Sequence, residues 1–114
     1  MPFIAVNVSC ALTKAQKDDI KTGLGTLIAL LPGKNEAGLM VDISENHTLY
    51  FAGEENQNAA FVDLRLYQDV PFAAKAAFFE KLCALLGEAA DIQAANIYFN
   101  VLPLPHWGSK GIFK

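Results

Sequence analysis

The sequence predicts an α/β chain of the α+β kind: two βαβ units forming one four-stranded mixed sheet, with two helices on one face. Three observations predict it. Hydrophobic periodicity passes from strand to helix to strand and then repeats the passage. The two passages are related by one constant offset, with Phe61 standing to Phe3 as 61 − 3 = 58. The length, 114 residues, suits one domain that can bury a real core, so residues 1–114 are read as a single unit with a pseudo-repeat over about 3–44 and 61–102.

The first strand starts almost at once. In "MPFIAVNV" a proline stands directly before alternating apolar residues, a position that suits a residue with no N–H to give to a ladder. In "LTKAQKDDIKTGLGTLIALLPGK", Ile20, Leu24, Leu27, Ile28 and Leu31 fall at helical spacing. Thr13 and Gln16 form a capping-box pattern at its start, and Pro32-Gly33 ends it. "GLMVDI" reads as the next strand. The polar stretch "SENHTLYFAGEENQNA" holds a short "TLYFAG" run, read as a small edge strand and a turn.

The second unit repeats the plan. "AAFVDLRLYQ" is a strand, "VPFAAKAAFFEKLCALLG" a helix with Pro71 in its first turn and Gly87 at its end, and "NIYFNVL" a strand. The offset of 58 pairs Lys17 with Lys75, Leu24 with Leu82, Leu27 with Leu85 and Leu39 with Ile97 without a gap. Each βαβ unit implies parallel pairing with a right-handed crossover, which puts both helices on one face. The strands read as apolar on both parities. A sheet buried on both faces, with helices enough for one, implies subunits packing sheet against sheet.

Composition excludes several classes. A net charge of −3 with scattered lysines argues against nucleic acid as a partner. The longest apolar run, "LIALLP", is far short of the roughly 20 residues a membrane span needs. "FIAVNV" lacks the basic flank of a secretory signal, so the expected location is cytoplasmic, with release lacking a signal peptide as the alternative. Cys10 and Cys83 form no CxxC pair and are read as reduced. His47 and His106 lack neighbours of metal-ligand type, so no metal is expected.

Pro2 carries a second meaning. Once Met1 is removed, the chain begins with a secondary amine whose reference pKa as an α-amino group is about 7.7 to 8.0. Such a group can serve as a general base near neutral pH.

Taken together, Pro2 before a strand, the doubled βαβ plan, "GK" after the first helix, "LYFAGEENQNAAFVDL" in mid-chain, "IYFN" on the last long strand and the penultimate Phe113 resemble the tautomerase superfamily. The similarity is to its macrophage migration inhibitory factor and D-dopachrome tautomerase branch, and it runs along essentially the whole chain. The resemblance implies a homotrimer whose three sheets surround a central channel, with sites at subunit boundaries. There an amino-terminal proline moves a proton between carbon and oxygen of a small keto or enol acid, with no cofactor.

Carried over residue by residue, the resemblance makes Pro2 the base and Lys34 the group that binds the substrate's carboxylate or carbonyl oxygen. Tyr67 falls where the family uses a backbone N–H. Tyr98 and Asn100 match side chains reaching in from the adjacent subunit, and their spacing of two puts both on one strand face. Phe113 matches an aromatic wall, with Trp107 on the same rim. Each residue type also has a plain structural use: Lys34 can complement a helix C-terminus, Tyr98 can be a half-buried strand tyrosine, and Arg65 can be a strand cation paired with an acid.

The sequence departs from the family in three places. "AAFV" stands where the family has CxxC, so no thiol-disulfide activity is implied. "HWGSK" puts Ser109 and Lys110 where bulky or amide side chains are common, and Gly38 replaces an aromatic, which widens the entrance. The expected function is a cofactor-independent phenylpyruvate or dopachrome-type tautomerase. The alternative is a cytokine-like binding protein with a vestigial pocket and a protein receptor, and a small-ligand regulatory module on the same βαββαβ plan comes third.

Overall fold

In the computed structural model, which describes all of Met1–Lys114, strand β1 (Pro2–Val8) buries every second side chain. Ile4, Val6 and Val8 are fully enclosed. Helix α1 (Lys14–Leu27) follows, and its capping box forms as the sequence predicts. The Thr13 hydroxyl accepts from the Gln16 N–H at 3.1 Å, and the Gln16 side-chain carbonyl accepts from the Thr13 N–H at 2.8 Å. Two of the helix's otherwise orphan donors are thereby satisfied. A 3₁₀ turn over Ile28–Leu30 closes the helix ahead of Pro32.

The remaining elements are β2 (Met40–Ser44), β3 (Tyr50–Phe51), β4 (Glu54–Glu55), β5 (Ala60–Tyr67), α2 (Phe72–Ala90), β6 (Ile97–Leu104), β7 (Gly108–Ser109) and β8 (Ile112–Phe113). The four long strands form one sheet in the order β2-β1-β5-β6. Within each unit the pairing is parallel, and the two units join antiparallel through β1 and β5. This is the mixed four-stranded sheet the sequence predicts. Helix α1 starts at Lys14 and α2 at Phe72, and 72 − 14 = 58, the offset read from the sequence.

Both helices lie on one face. The core joins Ile4, Val6 and Leu64 of the sheet to Ile20 and Leu24 of α1 and Phe78, Leu82 and Leu86 of α2. The helices also touch each other. A Cβ at Gly23 would run into the Leu85 side chain, so a glycine there lets α1 approach α2 closely.

Three expectations need correction. Helix α2 does not stop at Gly87: it continues to Ala90 and is closed by Asp91 in the left-handed conformation, φ 55°. Burial of Ala90 and Ile92 against the core outweighs the glycine's stop signal. The "TLYFAG" run is no edge strand of the main sheet, because β3 and β4 pair only with each other around Ala52-Gly53.

The helix-free face is also less apolar than the sequence implied. Strand register places Asp42, Ala5, Asp63 and Asn100 side by side across it. Apolar groups lie on either side, with Met40, Phe3 and Leu102 in one row and Phe61 and Tyr98 in the other. Each strand alternates, so the polar members of "MVDI", "FVDLR" and "YFN" all project to the same side. No helix of the chain is long and apolar enough to cross a membrane.

Candidate active site

Pro2 is buried at the start of β1, where it is registered against Leu66 near the end of β5. Met1, one residue earlier, is held by its carbonyl, which accepts from the Tyr67 N–H at 3.4 Å. The Tyr67 carbonyl in turn accepts from the Lys34 ammonium at 2.8 Å. Lys34 is aimed by the turn that ends α1: Gly33 takes φ 79°, and the Lys34 N–H donates to the Leu31 carbonyl at 3.0 Å. A third group closes on the same residue, since the Lys114 ammonium sits 5.9 Å from the centre of the Tyr67 ring.

Met1, Pro2 and Lys114 line an open cleft of about 1110 Å³, and Lys34 precedes its lining residue Asn35. Pro2, Met40, Arg65, Trp107, Lys110 and Lys114 are among its walls. Gly38 also lines it, with the Met1 Cα 3.9 Å from where a Cβ would be. A side chain at position 38 would thus start in ordinary contact with the chain's first residue.

The C-terminal hairpin forms one wall. Trp107 and Lys114 exchange two main-chain hydrogen bonds, at 2.8 and 3.0 Å. At the tip Lys110 and Gly111 are both left-handed, with φ 52° and 78°, as a two-residue turn between twisted strands requires.

The electrostatics follow from that crowding. The Met1 α-amine has its pKa lowered from 8.0, first by burial, then by the charges of Lys34 and Lys114. Arg65 differs from the lysines because its Nε donates to Asp63 at 3.2 Å and its guanidinium packs 5.7 Å over the Phe3 ring. Nowhere in the chain do three His, Cys, Asp or Glu side chains cluster as a metal site would need.

The structure therefore brings Pro2, Lys34, Tyr67 and Trp107 to one end of the sheet. Phe113 lies on the hairpin that walls the cleft, registered against the lining residue Gly108, whereas Tyr98 and Asn100 lie elsewhere in this chain. Tyr98 lies in register with Phe61, and Phe61 with Asn7, which puts it five residues along from Pro2, about 16 Å at strand rise. Its ring packs 5.1 Å from that of Phe51. Asn100 is exposed beside Asp63 on the helix-free face. Phe113 is 75% exposed and stacks at 5.9 Å on His106. Sequence reasoning gave no cleft role to Lys110 and Lys114, which stand on either side of a turn glycine in "SKGIFK".

No protein-family model and no curated protein matches this sequence. Solved structures do match. Over 100% of this chain and 97% of the other, it superposes on macrophage migration inhibitory factor 2 of Leishmania major with a TM-score of 0.90 at 22% identity. The fold is that of macrophage migration inhibitory factor. Two further solved structures share it. The protein Pt0534, solved after inactivation by 2-oxo-3-pentynoate, matches 96% of this chain over 93% of its own, with a TM-score of 0.85 at 16% identity. A fused 4-OT protein, solved as an asymmetric trimer, matches 96% of this chain over 94% of its own, with a TM-score of 0.85 at 14% identity.

Proposed function

We propose that this chain is a cofactor-independent keto–enol tautomerase acting on small 2-oxo acids of the phenylpyruvate type, with Pro2 as its base once Met1 is removed. One observation carries the reading: the chain start, Lys34 and the Tyr67 N–H converge on one point, and the amine there is already pushed toward its neutral form. Burial and neighbouring lysines disfavour an ammonium wherever they act, and they act on the nitrogen of Pro2 when it becomes the terminus.

In the forward direction the neutral Pro2 nitrogen takes a proton from the carbon beside the substrate carbonyl. The bonding pair of that C–H moves into the new C=C, and the carbonyl pair moves onto oxygen. Lys34 and the Tyr67 N–H stabilise the charge that grows there. Proton return to oxygen gives the enol, so nothing is gained or lost overall. In the Met1-retaining chain the Met1 carbonyl holds the Tyr67 N–H, the position a substrate oxygen would take.

The same reading makes the working unit a homotrimer. Tyr98 and Asn100 lie too far from Pro2 to serve it within one chain, and the helix-free face has no cover. A neighbouring copy can supply both needs. The trimer reported for the 4-OT relative of this fold supports that arrangement.

The decisive experiment is phenylpyruvate isomerisation by chain lacking Met1, beside Pro2→Gly prepared the same way. Turnover that falls about a hundredfold or more in the variant is the expected result, the usual contribution of a positioned base. Undiminished turnover in the variant would remove Pro2 from the mechanism. Absence of turnover in both would favour a binding protein with a vestigial pocket.

A further inference from the structure

The cleft's charge exceeds what a monocarboxylate requires. The chain has 12 acidic and 9 basic residues and a net charge of −3. None of the acidic side chains lines the cleft, whereas Arg65, Lys110 and Lys114 do, and Lys34 stands beside it. Arg65 is matched by Asp63, but Lys34, Lys110 and Lys114 enter none of the molecule's ion pairs. A cluster of unpaired cations repels itself, and an anionic guest relieves that repulsion.

One carboxylate accounts for Lys34. The other two lysines belong to a different element, the C-terminal hairpin. Lys110 stands at its tip, in a backbone conformation that favours Asn, Asp or Gly. Lys114 is fixed at its base by both main-chain bonds to Trp107. A hairpin closed at both ends fixes the backbone from which the two exposed lysines reach over the cleft wall, and an anionic ligand between them has only their side chains to order.

We propose that Lys110 and Lys114 form a second anion subsite, which makes the cleft select keto and enol acids that carry a second carboxylate. The proposal rests on the tautomerase reading for the chemistry of the first carboxylate and carbonyl. The subsite itself is a matter of binding. It also predicts salt dependence, since exposed charges are screened over about 8 to 10 Å at physiological ionic strength.

The test measures binding and turnover separately. Trp107 is the only tryptophan and lines the cleft, so its fluorescence reports occupancy. The matched five-carbon probes are 2-oxopentanoate, with one carboxylate, and 2-oxoglutarate, with two. At low salt 2-oxoglutarate is expected to bind about tenfold tighter, from two exposed charges each contributing up to about fivefold. The preference should shrink to about twofold or less in Lys110→Gln/Lys114→Gln, persist in Lys110→Arg/Lys114→Arg, and fade in 0.5 M salt (roughly a 4 Å screening length). Equal affinity for the two probes in the unaltered protein would overturn the proposal, as would a preference that survives in the double glutamine variant. Turnover of phenylpyruvate with no preference for the diacid removes the subsite and leaves the tautomerase reading. A lysine-dependent diacid preference without turnover does the reverse.

Discussion

The Lys34 ammonium donates to the Tyr67 carbonyl at 2.8 Å, tying the loop after α1 to the end of β5 beside the chain's first residue. The contact joins the two halves of the pseudo-repeat at the point where the site forms. It also leaves the other hydrogens of the ammonium for a ligand.

If Lys34 anchors a substrate carboxylate, Lys34→Met should raise KM for a keto acid about tenfold or more, as loss of a charge-assisted hydrogen bond does. Its methyl ester, which lacks that charge, should be affected much less. Steady-state kinetics on both compounds separate the cases. Equal losses would mean that Lys34 does not hold the substrate's carboxylate.

Removal of Met1 should do two things together. It converts the Pro2 amide nitrogen, whose lone pair is committed to peptide resonance, into a basic amine. It also frees the Tyr67 N–H from the Met1 carbonyl. Assay of one batch before and after aminopeptidase treatment, with the mass change confirmed, should show turnover appear with loss of the residue. Equal activity in both forms would reduce Pro2 to a strand opener.

The amine's titration offers a check that needs no substrate. Burial is the largest cause of its lowered pKa, with Lys34 second and Lys114 third. In the Met1-retaining chain, NMR titration of the α-amine should give a midpoint below 8.0. Lys34→Met and Lys114→Gln each remove a positive neighbour, make the ammonium less costly and move the midpoint upward, Lys34→Met by more. Neither restores the ordinary value, because burial remains. A midpoint unmoved by both variants would show that the lysine charges do not reach the amine.

How much of this could be read from residues alone depended on range. The Thr13–Gln16 box was legible because its partners are three residues apart, and the doubled βαβ plan because periodicity is local. The end of α2 was not, since packing of Ala90 and Ile92, invisible in "LLGEAADI", carries the helix past Gly87. Polar rows on the free face depend on the register of four strands. The cleft role of Lys110 and Lys114 depends on the C-terminal hairpin folding back beside Pro2, a juxtaposition of opposite chain ends that no spacing encodes. Pro2 was legible from the chain start itself, Lys34 and Trp107 only through resemblance, and on the trimer reading Tyr98 and Asn100 act from a second copy.

The trimer reading makes a prediction of its own. Phe61 and Tyr98 are 40% and 61% exposed in one chain, and both lie on the helix-free face. Sedimentation at micromolar concentration should show a species of three chains, and Phe61→Asp, placing a charge on that face, should weaken it. A stable monomer in the unaltered protein would contradict the assembly and remove Tyr98 and Asn100 from the site.

Away from the cleft, Glu45 secures the start of α1 to the end of β2, and its pH dependence can be worked out in sign. Its carboxylate accepts from the Leu12 N–H at 2.6 Å and pairs with Lys17 at 2.5 Å. Both hold its pKa below the ordinary 4.5, with the Leu12 hydrogen bond the larger cause. A carboxyl depressed by folding contributes stability that is fully present above its unfolded pKa and is lost as pH falls through its folded pKa. Glu45→Gln should therefore lower Tm at pH 7. The gap from the unaltered protein should narrow as pH drops below about 4.5 and nearly close once the native carboxyl is protonated, since both side chains are then neutral. Thermal unfolding of the two proteins at pH 7, 5 and 3 provides the comparison. A Tm difference that stays constant across that range would mean that the Glu45 charge is not what fastens α1 to the sheet.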